Sequence, residues 1–69
     1  MTEYIGCSSV KDASAKVITV WANFRKDVTY FGDPEMAEDC YIRKTESRMF
    51  QVGAWMDLDW KVKEGNKWV

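Results

Sequence analysis

Phe50, Val52, Ala54, Met56, Leu58, Trp60 and Val62 alternate without a break with Gln51, Gly53, Trp55, Asp57, Asp59 and Lys61. Alternation at period two means extended chain with one face buried. Any fold of this chain must therefore contain a sheet and something to cover it. The pattern is longer than the five or six residues of an ordinary strand, which places a bulge or bend at Gly53 or over Asp57–Asp59. Glu64-Gly65-Asn66 then supplies turn chemistry. Lys67-Trp68-Val69 returns as a short terminal strand or packs over the core.

Upstream, residues 16–24 suit a strand or a helix by spacing alone. As a strand, Ile18, Val20, Ala22 and Phe24 form an unbroken apolar face opposite Val17, Thr19, Trp21 and Asn23. The stiff β-branched run Val17-Ile18-Thr19-Val20 favours the strand. Arg25-Lys26-Asp27 becomes a turn into a partner strand over 28–31. Asp33 before Pro34 marks a helix start, with acid at its positive end and Arg43 and Lys44 at the other. Met36, Ala37, Cys40 and Tyr41 make its apolar stripe; Ile42 lies off it. A rival reading makes 40–45 a strand, but cap, proline, charge and stripe agree on the helix.

The expected architecture is α+β, a single domain over residues 1–69. It has an antiparallel sheet of about four strands in the order β-β-α-β-β, one helix on one face, and an extra N-terminal stretch around Tyr4–Cys7. Asp59-Trp60-Lys61-Val62-Lys63 and Lys67-Trp68-Val69 resemble the closing hairpin of small SH3-like barrels. That covers too little of the chain to assign a family. A small all-β barrel is the alternative architecture.

With 69 residues, a domain hides only about 60% of the surface its unfolded chain exposes, leaving little room for an enclosed pocket. There is no histidine, which excludes Ser-His, Cys-His and His-ligated metal chemistry within the chain. No secretory signal and no membrane-length apolar run is present, so a cytoplasmic protein is expected. Cys7 and Cys40 have no neighbouring ligand to complete a metal site and read as free thiols. No cofactor and no metal is implied.

Asp57 and Asp59 share a strand face about 7 Å apart but read as the solvent side of the strand rather than as an acid–base pair. The expected function is therefore non-enzymatic. Net charge is −1, but it falls in blocks: Asp33, Glu35, Glu38 and Asp39 give residues 33–42 a net −4. Three of four tryptophans lie in the last fifteen residues. Trp21 and Trp55 sit opposite the cleaner apolar registers, with Tyr30 a possible neighbour. Aromatics of this kind are enriched at interface cores.

The leading expectation is a protein-binding module, a regulator or inhibitor docking on a larger protein through Trp21, Tyr30, Trp55, Glu35, Glu38 and Asp39. The size suits an inhibitor of host machinery carried by a phage or mobile element. The alternative is a single-stranded nucleic-acid binder using Trp60, Lys61, Lys63, Lys67 and Trp68, which interleave stacking rings with cations. The acidic overall balance, with a pI near 5.3, opposes it. Self-association through an open sheet face is compatible with the same composition.

Overall fold

The computed structural model describes residues 2–21, 23–47 and 55–69. The element order is β1 (Thr2–Ile5), a 3-10 turn (Val10–Asp12), β2 (Ala15–Trp21), β3 (Lys26–Phe31), α1 (Pro34–Ser47), β4 (Trp55–Glu64) and β5 (Lys67–Trp68). The five strands lie in the spatial order β1-β3-β2-β4-β5. β2 pairs antiparallel with both β3 and β4, and β4 with β5, whereas β1 runs parallel to β3. The result is a small α+β fold: a mixed, open sheet with one helix on one face. It has one strand more than expected and is not fully antiparallel. Its two edges do not close on each other, so the barrel alternative is not supported.

The helix begins where the sequence places it. Asp33 Oδ1 accepts the Glu35 backbone N–H at 3.0 Å, satisfying one of the orphan donors of a helix start. Residues 40–45 continue the helix, which excludes the rival strand. Within the expected stripe Ala37 is fully buried, and Cys40 and Tyr41 pack on the core, but Met36 is exposed. Ile42 is exposed as well, as its place off the stripe implies.

The hairpin before the helix is confirmed with shifted bounds. Lys26 and Asp27 belong to β3, not to the turn. Phe24 is not on a sheet face: it takes φ 67° at the hairpin tip and is 79% exposed. The larger correction concerns which face of β2 is buried. Ala15, Val17 and Thr19 are buried, while Lys16, Ile18 and Val20 are only half-buried. The core beneath α1 consists of Ala15, Val17, Phe31 and Ala37, with Cys40, Tyr41, Leu58 and Trp60 packed against it. Small side chains at 15 and 37 let helix and sheet approach closely, which the larger Ile18–Val20 face would prevent. Thr19 belongs to the same covered face, and its Oγ1 accepts from Lys44 Nζ at 2.8 Å, so its burial is satisfied.

The long alternating pattern is a strand over its second half, and Leu58, Trp60 and Val62 fall opposite Thr19, Val17 and Ala15 as that alternation requires. The register shifts between Val20 and Trp21, whose partners are Asp57 and Trp55, a bulge just before the Asp57–Asp59 stretch. Gly53, the other expected bend, lies outside the described residues, as do Phe50, Val52 and Ala54. Gly65 takes φ 63° in the closing turn.

At the other edge, Gly32 N donates to Ile5 O at 2.9 Å. A Cβ on Gly32 would stand 2.1 Å from the Gly6 carbonyl oxygen. This glycine is what lets β1 close onto β3. Among the described residues, no helix is long and apolar enough to cross a membrane.

Candidate functional site

Neighbours in a sheet point to the same side, so the registers sort every strand residue into two faces. The helix side takes Val17, Thr19, Trp21, Asp27, Thr29, Phe31, Leu58 and Trp60. The opposite side takes Tyr4 from β1, Val28 and Tyr30 from β3, and Lys16, Ile18 and Val20 from β2. Thr2 from β1, Lys26 from β3, and Asp57, Asp59, Lys61 and Lys63 from β4 lie there too. α1 packs on the other side.

A row of rings crosses one end of this open face. Tyr4 and Tyr30 stack at 5.5 Å between centroids, 16° from parallel, and Tyr30 meets Trp68 at 6.1 Å. β3 and β5 are three strand spacings apart, about 14 Å. The 6.1 Å contact therefore requires the β4–β5 hairpin to curl back over the face. Trp68 covers Lys16, whose Nζ lies 4.4 Å from the ring centroid, and Lys63 Nζ lies 5.7 Å away. Lys63 also donates to the carbonyls of Val10 and Lys11, at 3.4 and 3.1 Å, tying the 3-10 turn to the sheet.

The cations here are crowded. Lys16 and Lys61 are direct cross-strand partners, a like-charge pairing that costs stability. Burial, then Lys61, then Lys26 push the Lys16 ammonium below the ordinary lysine range, with Asp59 opposing them. Relief from acid is small: Asp59 lies 4.0 Å from Lys61 Nζ, and its Oδ1 accepts the Trp60 backbone N–H at 2.9 Å. Asp57 does the same for Leu58, also at 2.9 Å. Both carboxylates thus finish the strand's own amides.

The structure separates the residues expected to bind a protein. Trp21 is on the helix side, where its indole donates to Asp27 and its ring is flanked by Arg25 at 5.6 Å and Lys44 at 5.9 Å. Tyr30 is on the other side. Trp55 pairs with Trp21 through the backbone register. Glu35, Glu38 and Asp39 are exposed on α1, with Asp39 bridged to Arg43 at 2.9 Å. Of the alternative set, Lys61, Lys63 and Trp68 come together on the open face. Trp60 instead stacks on Tyr41 beneath α1, at 6.0 Å, and Lys67 is exposed on β5.

Sequence reading missed Tyr4 and Lys16. The sign of both was available only through the register: each faces Tyr30, one across β1–β3 and the other across β2–β3. A groove of about 240 Å³ on the helix side is lined by Glu3, Ile5, Trp21, Asp27, Thr29, Cys40 and Lys44. Cys7 and Cys40 are free thiols, both half-buried. Among the described residues, no three acidic or thiol groups gather as a cation site. No known protein family, curated protein or solved structure matches this chain.

Proposed function

We propose that the protein is a non-catalytic binding module whose open sheet face takes single-stranded nucleic acid. The observation that carries this reading is the in-register Lys16–Lys61 pair beside the Tyr4–Tyr30–Trp68 row. Like charges held opposite each other violate a local rule of sheet stability, and such violations concentrate where function requires them. A phosphate backbone relieves the repulsion, and the neighbouring rings offer stacking surface to bases. The protein's overall acidity is not an obstacle at this face, because Asp33, Glu35, Glu38 and Asp39 belong to α1 and its start, and the open face sets Lys16, Lys26, Lys61 and Lys63 against only Asp57 and Asp59.

The test is tryptophan fluorescence titrated with oligonucleotides at low and moderate salt. Salt-sensitive quenching that is lost in Trp68→Ala supports the reading. Absence of any response at low salt overturns it.

A second reading rests on a separate surface. Glu35, Glu38, Asp39 and Ile42 follow helical spacing on the outer face of α1, and Met36 and Ile42 are each 46% exposed there. Acid around exposed apolar side chains suits docking on a basic patch of a larger protein, with regulation or inhibition as the outcome. Glu35→Lys with Glu38→Lys would abolish such docking and leave oligonucleotide binding unchanged.

A further inference from the structure

The two edges of the sheet are finished differently. On the β4 side, Asp57 and Asp59 side chains accept the N–H groups of Leu58 and Trp60, and β5 covers the end of the strand. Carboxylates and a lysine-bearing short strand are the devices by which natural sheets block edge pairing. β1 carries a single charged side chain, Glu3, and among the described residues no further strand lies beyond it. Thr2, Glu3, Tyr4 and Ile5 are all exposed, and the segment contains neither lysine nor proline. Among the described residues, no strand or side chain bonds to its outer edge. Two of its four side chains, Tyr4 at 45% and Ile5 at 38%, are exposed large apolar groups.

We propose that β1 pairs antiparallel with β1 of a second copy, about a two-fold axis perpendicular to the sheet at Tyr4. The alternatives are few, because directly opposed residues share a face. A two-fold that keeps both helices on one side must place a residue opposite itself. Centring on Glu3 opposes two carboxylates, which is destabilising. Centring on Ile5 sets Tyr4 against Gly6, whose φ of 72° has already left the extended region, and shortens the ladder. Centring on Tyr4 sets Glu3 against the partner's Ile5, so the carboxylates are not directly opposed, and it keeps Glu3, Tyr4 and Ile5 paired with extended residues, only Thr2 falling opposite Gly6. It also continues the ring row: Trp68, Tyr30 and Tyr4 of one copy run into the partner's Tyr4 at one strand spacing. Both open faces then lie on the same side of one continuous sheet. The pairing does not depend on what that face binds.

Sedimentation equilibrium from micromolar to millimolar protein tests this. The apparent mass of the wild type should rise from 8.1 kDa toward twice that value, while Tyr4→Lys should stay at the monomer mass with an unchanged circular dichroism spectrum. Cross-linking fixes the register even if that variant is poorly folded. In a Cys7→Ser, Cys40→Ala background, Tyr4→Cys should oxidise to a disulfide-linked dimer, whereas Thr2→Cys, set four residues from its own counterpart, should not. A wild type that remains monomeric at the highest concentration overturns the proposal, leaving the edge to a strand from a different protein. So does equal association of wild type and folded Tyr4→Lys, or preferential cross-linking through Thr2→Cys.

Discussion

Lys61→Gln should make the protein more stable and a weaker nucleic-acid binder at once. Lys61 faces Lys16 directly across β2 and β4. Cross-strand pairs are worth about 0.2–1 kcal/mol, with like charges on the unfavourable side. Glutamine keeps most of the side-chain length and removes the charge. For a domain of this size, 1 kcal/mol moves the melting temperature by about 4–8 °C, so the expected gain is about 1–8 °C.

The pH dependence carries the sign of the mechanism. The folded Lys16 value lies below the ordinary lysine value, so between the two the unfolded chain binds more protons than the folded one. Wild-type stability therefore gains from Lys16 as pH rises through that interval. Once Lys16 is neutral, Lys61 no longer repels it, and the melting-temperature gap between variant and wild type should close. Binding moves the other way. Losing one phosphate contact lowers the slope of log affinity against log salt by about 0.7 for a single strand. Paired thermal melts from pH 7 upward and a salt series of titrations read both effects. A variant that is less stable at pH 7 and binds with an unchanged salt slope would refute the reasoning, because Lys61 would then be a structural residue.

Three further variants test the frame that presents this face. Phe31→Ala empties a side chain that is 2% exposed in the core and should cost about 3–5 kcal/mol. That is comparable with the ~3–10 kcal/mol expected for a whole domain of this length, so chemical denaturation should find it largely or wholly unfolded. Asp33→Ala removes the acceptor at the start of α1 and should lower stability by about 0.5–2 kcal/mol in the same assay, with the fold retained. Gly32→Ala drives a methyl group into the Gly6 carbonyl. It should release β1 selectively, seen as rapid amide exchange at residues 2–5 while the protection of β2 and β4 persists.

Local chemistry made the helix start and the closing turn legible. Asp33-Pro34 and Gly65-Asn66 act within a few residues, so no tertiary information is needed to place them. The identity of the buried face was not legible, for a physical reason. Ile18 and Val20 are the more apolar pair on β2, but hydrophobicity alone says nothing about how near a helix can come. Ala15 and Ala37, both 0% exposed, fix that distance, and they select the odd-numbered face. β1 was missed as a sheet member because its evidence is non-local: a parallel pairing to β3 and a Gly6–Gly32 approach between residues 26 positions apart.

The inverted face has a direct consequence for the candidate site. Had Ile18 and Val20 been covered, Lys16 would have been carried to the same side and buried under α1, where an ammonium without a partner is costly. Choosing the alanine face instead leaves Lys16 to meet Lys61 and Tyr30 in the open. The packing requirement of one short helix thus decides where the cations and rings assemble. It also explains why Trp60 and Trp68, eight residues apart on one hairpin, take different roles. Trp60 lies opposite Val17 on the same face and supports the helix, while Trp68 returns on β5 over Lys16 and joins the surface row.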